Sequence, residues 1–282
     1  PDTERTICMT TELTPFTQRV RENPPRRYTA LMGLLAAKEG LTDSFYRQPA
    51  RKAVGVDGID KATYGQALEA NLADLSARLK RMGYRPKPSR RVYVPKANGG
   101  KRPIGIPSFE DRIVEDRLSR ILQAIWEPEF CECSYGFRLG RRAHQALSRL
   151  DYIITKEKTQ WLYEADLKNF FGSVSHDHLM RFIEHRIADA NLLRLIRRFL
   201  KAGFLEDGRV HAVEEGTPQG NLVSPVLANI FLHYTLDVWF ERRFAKTCRG
   251  EAYLVRYADD FVACFEWEED ARAFERALKE RL

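Results

Sequence analysis

The tetrapeptide Tyr257-Ala258-Asp259-Asp260 lies between two apolar runs, Ala252-Tyr253-Leu254-Val255 and Phe261-Val262-Ala263-Cys264-Phe265. Runs of this composition on either side of a tight break predict two strands with the acidic pair at their junction. Adjacent carboxylates at a turn repel each other and cost stability unless something positive sits beside them. A divalent cation meets that need, and two cations clamping a phosphate would make the turn a phosphoryl- or nucleotidyl-transfer centre. An Asp-Asp pair alone is more often a solvated turn; the apolar flanks and the segments upstream set this one apart.

Two metals need a third carboxylate, and the candidate is Asp166. It ends the run Trp161 to Leu167, which reads as a strand of the buried type. An acid at a strand's C-terminal end can join a site without its charge being buried in the core. The backbone carbonyl of Leu167 could add another oxygen, since Mg²⁺ favours near-octahedral oxygen coordination. The plain alternative for Asp166 is a cap on the turn that follows. Further on, Glu215-Gly216-Thr217-Pro218-Gln219-Gly220-Asn221-Leu222-Val223-Ser224-Pro225 holds two glycines and two prolines. Such a stretch fixes an irregular backbone that lets a nucleotide or another backbone come close. Gln219 could bond a base or sugar, and the apolar run from Val226 to Ile230 predicts a supporting helix. Upstream, Arg90 to Lys96 alternates as a strand, Asn98-Gly99-Gly100 turns it back, and Lys96, Lys101 and Arg102 lie on the two arms. Cations on a hairpin suit a triphosphate whose charge grows during transfer, although a basic turn is also commonly just solvated.

Charge fits a polyanion partner. The 282 residues carry a net charge of +7 spread over many residues of both signs rather than a basic tail, and nucleic acid is the commonest such partner. The five cysteines, Cys8, Cys131, Cys133, Cys248 and Cys264, form no disulfide or zinc framework. Reduced thiols in a cytoplasmic protein account for them. No apolar run approaches a membrane span, and no signal peptide is visible.

Along the chain, residues 1 to about 50 read as helical and basic, interrupted by the proline loop Asn23-Pro24-Pro25-Arg26-Arg27. Tyr64, Leu68, Leu72, Leu75 and Leu79 share one helical face. Phe109 to Trp126, Leu179 to Leu200 in two segments, and Glu268 to Leu282 are further predicted helices. The last stops without a cap, and the chain starts at Pro1 without a methionine, so it reads as part of a longer protein. Strands mixed with long helices predict an α+β fold.

The ordered blocks carry a resemblance. Lys101-Arg102-Pro103-Ile104-Gly105-Ile106-Pro107, Ser134-Tyr135-Gly136-Phe137-Arg138, the Asp166 strand, Thr217-Pro218-Gln219-Gly220 and Tyr257-Ala258-Asp259-Asp260 together resemble a reverse transcriptase. The likeness is greatest to the proteins encoded by bacterial group II introns, the intron maturases, and runs from Leu31 onward. It implies a right-hand polymerase fold of fingers and palm, with an antiparallel palm sheet packed on helices and the thumb absent. Residues 1–60 would be a basic helical extension and residues 61–282 the interleaved fingers (mainly 61–110) and palm (mainly 111–282).

The resemblance also implies roles. Asp166, Asp259 and Asp260, with the Leu167 carbonyl, would bind two Mg²⁺, for which Mn²⁺ can substitute. Lys96 and Arg102 would hold the triphosphate of a deoxynucleotide, and Gln219 would lie against that nucleotide. Phe171 would be the steric gate against a ribose 2′-hydroxyl, although core packing beside Phe170 would explain the same residue. Arg26 and Arg27 belong to a segment resembling the one that grips template or intron RNA. The partners implied are RNA template, intron RNA, DNA primer and deoxynucleotide, with no membrane; the sequence leaves a homodimer open. Asn221 departs from the family, whose intron members commonly carry a second glycine there. A splicing factor that keeps the fold without the chemistry, or the same polymerase in a CRISPR-associated, diversity-generating or phage-defence setting, are the competing readings.

Overall fold

The computed structural model describes residues 13–22, 27–95, 99–167, 169–217 and 220–281. In chain order the helices are α1 (Thr14–Glu22), α2 (Leu31–Ala36), α3 (Lys38–Arg47), α4 (Lys61–Gly65), α5 (Leu68–Lys80) and α6 (Phe109–Trp126), with β1 (Ser89–Pro95) and β2 (Lys101–Ile106) before α6. Then follow α7 (Ala143–Lys156), β3 (Trp161–Asp166), α8 (Phe170–Ser173), α9 (His176–Glu184), α10 (Ala190–Leu200), β4 (Phe204–Glu206) and β5 (Arg209–His211). The chain closes with α11 (Ser224–Leu232), its wider-wound continuation to Phe244, β6 (Ala252–Tyr257), β7 (Asp260–Phe265) and α12 (Glu268–Arg281). The fold is α+β, as expected. The single helix expected from Tyr64 to Leu79 is two, because the chain breaks between Gly65 and Leu68.

Contacts divide the chain into two compact units: Trp126–Phe170 with Ala228–Leu282, and the described part of Ile7–Ile125 with Phe171–Leu227. The first holds a three-stranded antiparallel sheet in the order β3-β7-β6. Alternation along β7 sends Phe261, Ala263 and Phe265 to one face, where Phe240, Phe244, Phe274 and Leu278 cover them. Cys264 and Val262 go to the other face, against Ala146, Leu150 and Ile153 of α7. A central strand covered on both faces explains the uninterrupted apolar run. β3 differs from the buried strand expected. It is an edge strand, and Trp161 and Leu162 are 41% and 52% exposed. Only Tyr163, Ala165 and Leu167 pack inward.

The second unit holds a four-stranded sheet in the order β2-β1-β4-β5, in which β1 runs antiparallel to β2 and parallel to β4. Helices α2, α3, α5, α9 and α10 of the same unit pack on one another. One carboxylate ties two of them: Asp189 caps α10 by accepting from Asn191 and Leu192 amides, and its other oxygen accepts from the Leu31 and Met32 amides that start α2. Among the described residues no helix is long and apolar enough to cross a membrane, and Cys131, Cys133, Cys248 and Cys264 are free thiols.

Candidate active site

The acidic turn belongs to the three-stranded unit. β6 and β7 pair through Tyr257 and Asp260, leaving Ala258 and Asp259 as the two turn residues. β7 also pairs with β3, and the register sets Asp166 directly opposite Asp260. Opposed residues on neighbouring strands have Cβ atoms roughly 5 Å apart, and like charges in that position destabilise the pairing. Glu164 lies two residues back along β3, on the same face as Asp166. Burial, then the charges of Asp259, Asp166 and Glu164, hold the Asp260 carboxyl above its ordinary pKa. The sheet therefore concentrates negative charge at one corner. An all-oxygen donor set of this kind fits Mg²⁺ or Mn²⁺ in type. Among the described residues, however, no three His, Cys, Asp or Glu side chains already stand in a ligating cluster. The Leu167 carbonyl accepts from the Phe170 amide at 3.0 Å, which leaves it one further lone pair.

The turn is strained and buttressed. Ala258 has φ of 61°, a left-handed conformation costly for a residue with a Cβ. Gly136 lies flush against it: a Cβ there would stand 2.3 Å from the Ala258 nitrogen. On the inner side, Arg256 is wholly buried and bonded in every direction. Its Nε and Nη2 donate to the two carboxylate oxygens of Asp237 at 2.7 and 2.6 Å. Nη1 donates to Asn229 Oδ1 at 3.0 Å and to the Ala258 carbonyl at 2.8 Å, and Nη2 also to Ser134 Oγ at 2.7 Å. Asn229 Nδ2 in turn donates to the Gly136 carbonyl at 2.8 Å. The Ser134-to-Arg138 block is thus the outer wall of the turn, with the Tyr135 amide bonded to the Arg256 carbonyl at 2.8 Å.

Sequence reasoning passed over Arg256, Asp237 and Asn229. The available signal was an arginine inside the apolar strand Ala252–Tyr257, since a buried charge demands a partner.

Of the expected nucleotide-binding residues, Arg102 and Phe171 fall in the four-stranded unit. Arg102 is exposed on β2, opposite Val94. Lys96, Gln219 and Arg26 lie outside the described residues, while Arg27 is described and exposed. Phe171 is half-buried, and its carbonyl accepts from the Thr217 amide at 2.6 Å. The described residues just before Pro218 are held by hydrogen bonds. The Gly216 amide donates to the Val174 carbonyl at 2.8 Å, and His176 Nε2 bonds the Gly216 carbonyl at 2.6 Å. Gly220 has φ of 109°, and a Cβ there would lie 2.4 Å from the Gly105 carbonyl oxygen. The Leu222 amide donates to Glu115 at 2.8 Å. Within this unit the Phe171 segment, Gly216, Thr217, Gly220 and β2 therefore share a frame. Asn221, the departure from the family pattern, is buried and accepts from Ser89 Oγ at 3.3 Å, a bond that glycine could not make.

The reverse transcriptase (RNA-dependent DNA polymerase) family profile matches residues 94–282. The chain belongs to the reverse transcriptase family. It is 36% identical over 271 residues to Protein YkfC of Escherichia coli (strain K12), covering 85% of this chain and 71% of that protein. It is also 36% identical over 216 residues to the group II intron-encoded protein LtrA of Lactococcus lactis, covering 76% of this chain and 35% of LtrA. The chain thus spans little more than a third of that intron protein. These relatives bear out the resemblance to group II intron reverse transcriptases and maturases. Among solved structures, telomerase from Candida albicans superposes with a TM-score of 0.51 at 15% identity, over 77% of this chain and 43% of that one. A Cas6-RT-Cas1–Cas2 complex gives 0.50 at 19% identity, over 89% of this chain and 41% of that chain. At those identities the likeness is one of fold.

Proposed function

We propose that the chain is an RNA-directed DNA polymerase of the group II intron type. It would extend a DNA primer from deoxynucleotides on an RNA template and bind intron RNA to assist splicing and mobility. The observation that carries this reading is the pairing of Asp166 with Asp260 across β3 and β7, beside Asp259 in the turn. These carboxylates and the Leu167 carbonyl would hold two Mg²⁺ or Mn²⁺ ions. When bound, the metals supply a lowered pKa for the primer 3′-hydroxyl and a counter-charge for the pyrophosphate leaving group. The chain's own groups do the rest. Lys96 and Arg102 neutralise the triphosphate, Phe171 excludes a ribose 2′-hydroxyl and Gln219 steadies the nucleotide. Arg26 and Arg27, in the extension of residues 1–60, grip RNA, with fingers mainly in 61–110 and palm mainly in 111–282. A cytoplasmic setting and a monomer or homodimer complete the reading.

The test is Mg²⁺-dependent primer extension on an RNA template by the full-length protein, with deoxy- and ribonucleotides in parallel. Deoxynucleotide incorporation is expected, and Asp259→Asn should abolish it without lowering thermal stability, because one of the clustered like charges is gone. Extension that survives Asp259→Asn would sink the metal assignment. No extension with RNA binding intact would favour a splicing factor without the chemistry. Phe171→Ala should raise ribonucleotide use; unchanged sugar selectivity would remove Phe171 from the gate.

A further inference from the structure

Beyond Leu232 the helix winds more loosely. The Val238 amide donates to the His233 carbonyl and the Ala245 amide to the Phe240 carbonyl, each spanning five residues. Wide turns of this kind are rare and occur frequently at functional sites. Here they sort the segment into two sides. Leu236, Asp237, Phe240 and Phe244 are buried, Asp237 by its bonds to Arg256. Tyr234, Val238, Trp239, Arg242 and Arg243 turn the other way and, with Arg281 of α12, line a groove of about 490 Å³.

Three of the six lining residues are arginines and none is acidic. Arg242 and Arg243 are exposed. The Arg281 guanidinium lies 5.2 Å from the centroid of the Trp239 ring and donates through Nε to the Thr235 carbonyl at 2.5 Å. Burial, and then repulsion from Arg243, lower its pKa. Two other cations of α12 contrast with it: Arg272 pairs with Glu268 and Lys279 with Glu275 along the helix surface. Three guanidinium groups converging without a carboxylate leave the groove in need of an anion. Planar, five-donor guanidinium forks match phosphate oxygens in particular. The Trp239 ring has Arg281 over it and stacks on Phe274, so the groove's three guanidinium groups set its character.

We propose that this groove binds the phosphodiester backbone of an RNA strand, as a contact separate from the carboxylate turn. The contact is independent of base sequence, since it reaches phosphates alone. It rests on the reading of the chain as an RNA-handling protein and adds a surface that reading does not contain.

The experiment is fluorescence anisotropy of labelled oligouridine with the full-length protein, over a series of NaCl concentrations. Arg242→Gln/Arg243→Gln should weaken binding about tenfold at low salt and flatten the slope of log K against log salt by about 1.4, the value for two lost contacts to a single strand. Arg242→Lys/Arg243→Lys should restore most of that slope. Arg272→Gln/Lys279→Gln removes the same charge from α12 outside the groove and should bind as the parent does. A groove variant indistinguishable from the parent, or a control that loses as much, overturns the proposal. If the parent itself binds no RNA, the underlying reading falls and the groove with it. Parent binding with an unaffected groove variant sinks the groove alone.

Discussion

Arg256 shows what a single side chain does for the acidic turn. A guanidinium taken wholly out of water is costly unless its donors are met, and Asp237, Asn229, Ser134 and the Ala258 carbonyl meet them. For the proposed chemistry the bond to Ala258 matters most, because it holds the one turn residue whose backbone is left-handed. Arg256→Met should therefore cost about 3–5 kcal/mol in urea unfolding, the usual penalty for stranding a buried partner charge. Arg256→Lys keeps a charge opposite Asp237 but cannot span all four acceptors. It should recover part of the stability while the extension rate stays low at unchanged nucleotide KM. Recovery of both together would reduce Arg256 to a stability residue. The three carboxylates were legible from the sequence because acids next to apolar runs stand out. Their scaffold was not, since Asp237 and Asn229 sit in an apolar helical stretch whose distant strand partner no local pattern reveals.

Among the elements, the turn depends on close backbone approach. The Ser134-to-Arg138 block was readable as a family signature, but the structure supplies its reason: Gly136 is the only residue type that lets this segment lie against Ala258. Gly136→Ala would drive a methyl into a backbone nitrogen that Arg256 and β6 prevent from yielding. We expect a loss of about 1–3 kcal/mol, typical of overpacking, and a fall in extension rate with RNA affinity unchanged. Wild-type stability and rate in this variant would show that the contact relaxes freely. The strands around the turn, α6 and α12 were legible from period and flanking breaks. Strands β4 and β5 were not, at three residues each. Nor was α7, whose apolar residues divide between buried Ala146 and Ile153 and exposed Leu147, Tyr152 and Ile154. The wide winding after Leu232 answers to tertiary packing rather than to any local composition.

For the molecule as a whole, buried acids on α6 shape the response to pH. Burial pushes the Glu115 carboxyl up to about 8, with the Leu222 amide pulling it down and the Asp111 charge pushing it further up. Its Oε1 has no hydrogen-bond partner among the described residues. An unfolded glutamate releases its proton near pH 4.3. Between there and about 8 the folded chain keeps a proton that the unfolded chain has lost. Stability should fall across that window, by up to about 1.4 kcal/mol per pH unit, and level off above it. Asp111, pushed up to about 6 mainly by burial, acts in the same direction over a shorter span. Glu115→Gln removes the ionisation, so its curve of stability against pH should be flatter than the parent's. Two parallel curves would contradict the buried neutral acid. The order of blocks was visible in the sequence, but the points at which the chain passes from one unit to the other were not. The chain passes between them at Ile125/Trp126, Phe170/Phe171 and Leu227/Ala228, and such non-local groupings leave no local trace.

The pairing of β3 with β7 has a consequence for birth on the ribosome. Asp166 is translated well before Asp260, and synthesis proceeds at roughly 5–20 residues per second. Until β7 emerges, Asp166 stands on an unpaired strand without the opposing Asp260. The crowded corner of negative charge comes into being when β7 pairs with β3, so a nascent chain is spared it until that strand has been made.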